Sequence, residues 1–347
     1  MDRVKKSIRN LIIFITLIIL TFYIILKDQN LSEIFSVLIN TEKQYITIAI
    51  LCMCIYVICE AINIKRTLKL LNEKVTFLDT IRYALIGFFF SGITPAASGG
   101  QPMQIYYMHK DKISIAHSTL ALLINLSSMQ IVTISIALFS IIFQHENLNT
   151  GLKWLFAIGI LLNLSALVLL MIGIFSKKLL NKLIDFVIKI MKKLKLKNIE
   201  EKQEKLTNEL MKYQDSAIYI KKNKKMILKI LLTTYLQFFM YYSVSYWVYR
   251  SFGFTQHNIL YIVGLQAILF GTVSGIPSPG AVGVSEGGFI AIFKAVFPDT
   301  IINSAMLLNR GINFYLLMAV SSISVIISTL RTKKLKKTEK WYIMSRR

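Results

Sequence analysis

Carboxylates are scarce in this sequence: 18 Asp and Glu stand against 41 Lys and Arg, a formal net charge of +23 over 347 residues. Cysteine and proline are scarcer, at three and five. The cysteines, Cys52, Cys54 and Cys59, share one apolar stretch with no histidine near them. That arrangement offers neither a disulfide framework nor zinc-ligand spacing, and we read them as small apolar residues of a helix. His109, His117, His145 and His257 are scattered, and no P-loop, HExxH or paired CxxC pattern occurs. The chain therefore shows no centre for the chemistry of a soluble enzyme, and no cofactor and no metal are expected.

What is abundant is apolar. Hydrophobic residues make up 54% of the chain, and the mean hydropathy is +0.56, which places it among polytopic membrane proteins. Basic clusters alternate with apolar runs of membrane length, so anionic lipid head groups, not nucleic acid, are the expected counter-charge. Runs at 8–26, 45–64, 115–143, 154–175, 227–249 and 301–330 are read as six full spans. The first follows Arg3, Lys5, Lys6 and Arg9 and lacks a small-residue cleavage site, so it is read as a retained helix with its N-terminus in the cytoplasm. Eight basic residues between Arg331 and Arg347 put the C-terminus on the same side. Between 177 and 229 lie 16 lysines and 6 acids. This basic segment, 176–226, is read as cytoplasmic, either lying along the inner leaflet as amphipathic helix or forming a solvated helical hairpin.

Two stretches of membrane length are broken by glycine and proline: 82–112, containing GITPAASGGQP, and 271–297, containing GIPSPGAVGVSEGG. Unpaired backbone groups in hydrocarbon cost several kcal/mol each, so such a break must be buried in protein or line a polar cavity. Four of the five prolines fall in these two loops, and Ser91-Gly92-Ile93 recurs as Ser274-Gly275-Ile276, each shortly before a proline, Pro95 and Pro277. The charge pattern brings the first hairpin in from the cytoplasm and the second from outside. The expected fold is thus an all-α polytopic membrane protein in one domain, with six spans and two re-entrant helical hairpins arranged as an inverted repeat, 45–143 against 227–330. A packing repeat with no transport role would leave a similar glycine and proline pattern.

Ionisable residues at depth are functional candidates by default. Glu286 stands just after the second loop and Arg310 about three turns into the last span. They are expected to pair or jointly to hold a charged head group. Gln101 and Asn125 in the first repeat have the same 24-residue separation as Glu286 and Arg310, and are read as an uncharged counterpart facing a shared cavity. Asn313 lies one helical turn beyond Arg310. Pro95, Pro277 and Gly280 shape the loops, and Arg82 at the first hairpin's mouth is placed to meet a lipid phosphate. Glu60, close to Lys65 and Arg66, is read as snorkelling to the interface.

The two loops, GITPAASGGQPMQIYYMHKDKIS and GIPSPGAVGVSEGGFIAIFKAVF, resemble the lysylphosphatidylglycerol synthase transmembrane family, the flippase-like membrane part of the bacterial multiple peptide resistance factor and its stand-alone relatives. The resemblance implies a multi-pass protein of the bacterial cytoplasmic membrane. It would handle or flip aminoacylated phosphatidylglycerol or a related lipid-linked substrate, with resistance to cationic peptides as the consequence. The family's motif glutamate falls on Glu286; where many relatives carry a glutamate after the paired glycines of the first loop, this chain has Gln101. The alternative it implies is phosphatidylglycerol lysyltransferase activity. Only a 17-residue basic tail follows residue 330, so that activity is expected to need a separate synthase partner, and this chain alone is not expected to bind tRNA.

Overall fold

The computed structural model describes residues 36, 38–144, 149–177, 180–182, 185, 188–189, 199–276 and 278–344. The expected first span at 8–26, most of the amphipathic stretch at 178–198, and Pro277 lie outside the described residues. Every regular element among the described residues is helical.

Among the described residues, five helices are long and apolar enough to cross a bilayer: α1 (Lys43–Leu70), α4 (Ile115–Gln144), α5 (Thr150–Phe175), α7 (Lys224–Ser251) and the stretch Ile302–Leu330. At 28 residues α1 is about 42 Å long, exceeding a hydrocarbon core of about 30 Å. Lys65, Arg66 and Lys69 therefore have room to stand clear of the apolar layer at its end. One face of α5 is exposed, with Leu161 and Leu169 66% and 68% exposed. A face this apolar is satisfied by lipid chains.

Two shorter pairs of helices complete the bundle. α2 (Phe77–Gly92) and α3 (Gly100–Lys110) flank the first broken stretch, and α8 (Ile259–Val273) and α9 (Val284–Phe293) the second. Local chemistry sets their ends. Thr76 caps α2, accepting from the Asp79 N–H while Asp79 reaches back to the Thr76 backbone. Asn258 caps α8 through Tyr261 N–H. In each break one turn of 3₁₀ helix follows a proline, Pro95–Ala97 and Pro279–Ala281, and both turns contain left-handed backbone: Ala96 at φ 51° and Gly280 at φ 61°. The two turns pack against each other.

This geometry corrects the pairing of Pro95 with Pro277, because the turn matching that of Pro95 begins at Pro279. Counted from these prolines, α3 and α9 each start five residues on, at Gly100 and Val284. Gln101 and Ser285 each take the second position of the helix that follows.

α6 (Ile199–Lys222) is the main described helix of the basic segment. It is docked on the end of the bundle, burying Tyr213, Ala217 and Ile220 against Leu71, Leu120 and Met226. Glu209 accepts hydrogen bonds from Ala116 N–H at 2.9 Å and Ser114 Oγ at 3.1 Å. Glu73 accepts from Ser114 N–H at 3.3 Å. Two carboxylates thus satisfy free N–H groups at the positive end of the α4 dipole.

The last crossing is α10 (Ile302–Arg310), a π-helical turn at Gly311–Leu316 and α11 (Leu317–Met344). The main apolar core lies among α1, α7, α8, α9 and α10, around Tyr249, Leu265, Phe289 and Phe293. α1 and α7 also share a polar seam, in which Asn63 donates to Thr234 Oγ1 at 3.0 Å and Arg66 to Asn63 Oδ1 at 2.9 Å.

Candidate functional site

Glu286 occupies the third position of α9 and has no exposed surface. Its Oε2 accepts the N–H of Gly283 at 2.7 Å, which caps the helix on which it stands. Its Oε1 accepts from Arg310 Nε at 2.8 Å and from Tyr315 Oη at 3.2 Å. Arg310, 5% exposed, turns a second nitrogen to the carbonyl oxygen of Gly280 at 3.0 Å. Its guanidinium carbon lies 4.3 Å from the centre of the Phe314 ring. The charges cancel, and each finds further hydrogen bonds. Such a pair can persist in low dielectric, whereas either charge alone would be costly.

Gly280 is required where it stands. A Cβ there would collide with the Phe314 ring, and its φ of 61° disfavours any residue bearing one. The Gly280 carbonyl, the Phe314 ring and the Glu286 carboxylate therefore fix Arg310 from three sides. The second loop is latched to the last crossing helix through that one guanidinium.

Beside the latch lies a cavity of about 200 Å³ bordered by Ser278, Ser285, Arg310 and the turn residues Ala97 and Ala281. It adjoins a second, of about 300 Å³, and Phe88, Ser91, Ala97, Phe270 and Ser274 form walls of both. Gln101 and Asn125 line the larger one, together with Glu60, Gln104, Gln130 and Asn163. No hydrogen bond joins Gln101 to Asn125. Asn125 donates weakly to Met129 Sδ at 3.8 Å, and its Oδ1 is buried without a partner.

Glu60 is a correction. Its side chain lines the cavity instead of reaching along α1 to the interface. Asn163 carried no functional reading from the sequence. Its amide donates to Gly159 O at 2.8 Å, Gly271 O at 3.2 Å and Ser274 Oγ at 3.1 Å. It thereby satisfies backbone exposed where α8 breaks, and Gly159 leaves α5 room to approach the Gly271 and Thr272 carbonyls. A lone amide in the apolar run ILLNLSALVLL was the available signal.

The other expected positions are dispersed. Pro95 opens the first turn. Arg82 is 13% exposed and ion-paired with Asp79 and Asp111, so its charge is answered within the chain and not left for a lipid phosphate. Asn313 is buried in the π turn with its Oδ1 unpartnered. Gly283-Val284-Ser285-Glu286-Gly287 spells GxSxG, a pattern passed over in reading the sequence, but a nucleophile elbow needs a preceding strand and a histidine base. Ser285 instead follows a helix–turn break, and no histidine lines either cavity.

Comparison with known proteins agrees with this architecture. A UPF0104 membrane protein of Pyrococcus horikoshii is 24% identical over 327 residues, covering 91% of this chain and 95% of its own. Others from Methanocaldococcus jannaschii and Archaeoglobus fulgidus are 22% and 21% identical, over 93% and 90% of this chain. The model of the lysylphosphatidylglycerol synthase TM region matches residues 10–321. A multi-pass membrane protein by its helices and by this match, the chain belongs to the lysylphosphatidylglycerol synthase transmembrane family.

Proposed function

We propose that this protein moves an aminoacylated phosphatidylglycerol, or a related lipid-linked substrate, between leaflets of the cytoplasmic membrane. The observation that carries the reading is the pair of adjoining cavities, each lined in part by polar side chains, between two broken helical hairpins whose turns touch. At about 300 Å³ the larger is of head-group size, at the small end of ligand pockets. A head group would pass through the polar interior while the acyl chains stay in the bilayer. The hairpins are two halves of an inverted repeat, 45–143 and 227–330, with both termini and the basic segment 176–226 on the cytoplasmic side, as the lysine and arginine clusters favour.

In this reading the Glu286–Arg310 latch holds the second loop in shape, and Gln101 and Asn125 present amides to the passing head group. The direct test reconstitutes the protein in vesicles and follows the leaflet accessibility of lysylated and plain phosphatidylglycerol. Accelerated exchange over protein-free vesicles is expected. A lysyl lipid newly made by the chain in a host that lacks one would favour the lysyltransferase activity instead.

A further inference from the structure

The two adjoining cavities differ in charge. In the smaller, Arg310 is neutralised by Glu286 at 2.8 Å. In the larger, Glu60 is the sole ionisable acid or base apart from the phenol of Tyr56; no lysine, arginine or histidine lines it. No ion pair to Glu60 is found among the described residues. A carboxylate in this position is expensive unless a positive charge comes to it.

The remaining polar lining suits such a visitor. Asn125, 4% exposed, has its Oδ1 buried and unpartnered, and the Oε1 of Gln130 is likewise without a partner. Both are acceptors on α4 that line the cavity, and native proteins rarely leave buried acceptors unused. Gln104 is tied to the Tyr83 carbonyl at 3.0 Å beneath Gly87, where a Cβ would strike its amide. One carboxylate and two free amide oxygens therefore line a space of about 300 Å³ that offers no competing cation.

We infer that this cavity binds a small monovalent cation, held by the Glu60 carboxylate and the amide oxygens of Asn125 and Gln130. A hard alkali ion takes oxygen ligands of this kind, and a primary ammonium group would donate its three N–H bonds to the same atoms. The site is separate from the Glu286–Arg310 latch, and its occupancy does not depend on the transport reading, since binding is measured with no lipid moved.

The full-length protein in nanodiscs of neutral lipid is titrated with radioactive sodium in choline buffer, and separately with ethylammonium by calorimetry. Saturable binding of at least one of the two is expected. Sodium displaced by ethylammonium identifies one shared site, and binding of ethylammonium alone identifies an ammonium group as its ligand. E60Q is expected to weaken binding by about tenfold or more, N125A to weaken it less, and Lys294→Gln on an exposed surface to leave it unchanged. E60D keeps the charge and is expected to retain binding, which covers the case of an unstable E60Q. No saturable binding of either cation, or wild-type binding in folded E60Q, overturns the inference.

Discussion

Arg310 Nε lies 2.8 Å from Glu286 Oε1 across 24 residues of chain, and the same guanidinium reaches the Gly280 carbonyl at 3.0 Å. One side chain thus joins the helix after the second break, the turn inside it and the crossing helix that follows. The sequence left two readings for these residues, pairing with each other or jointly holding a head group, and in the fold they pair.

Removing either partner of this pair leaves the other charge buried. E286Q and R310Q are each expected to destabilise the protein by about 3–5 kcal/mol. The double variant should lose much less than the sum, which thermal unfolding in detergent measures as a double-mutant cycle.

At Gly280, alanine meets both the left-handed backbone and the Phe314 ring. G280A is expected to cost about 1–3 kcal/mol from the backbone alone, with the steric clash added. Adding F314A should restore the steric share only, so the double variant melts above G280A and below F314A.

Much of this fold was legible beforehand. Apolar runs and lysine clusters located the five described spans, and proline and glycine located both breaks, since each follows from local chemistry. Three features were not. Glu60 looked interfacial because Lys65 and Arg66 follow it closely, whereas its place in a cavity wall depends on the packing of α4 beside α1. The partner of Arg82, Asp111, is 29 residues away and meets it only when α2 and α3 fold back on each other. Asn163 acts on a carbonyl 108 residues ahead, a contact set by the close approach of α5 and α8.

That last contact gives a further test. Asn163→Leu should leave the Gly271 carbonyl and Ser274 without their donor, destabilising by about 1–3 kcal/mol. Hydrogen exchange should rise at the end of α8, around residues 271–276, while α1 and α7 keep their protection.

The docking of α6 carries a pH dependence. Tyr213 donates to Gly173 O at 2.9 Å, and burial raises its phenol from 10.0 to about 12. The neutral form is favoured when docked, so this contribution is fully present below pH 10 and is lost as pH rises from 10 to about 12. Proteolytic release of α6 should increase across that window, and Y213F should flatten the increase.

The central claim is that head groups pass through the space between the two loops, and one reconstitution tests it. Vesicles carrying wild-type protein or S91F, whose ring would fill the wall common to both cavities, are compared for exchange of lysylated and plain phosphatidylglycerol between leaflets. The account predicts exchange well above protein-free vesicles for the wild type, and a loss of about tenfold or more in S91F at unchanged melting temperature. Wild-type exchange no faster than in empty vesicles for these and other lipid-linked substrates, or full exchange in folded S91F, would contradict it.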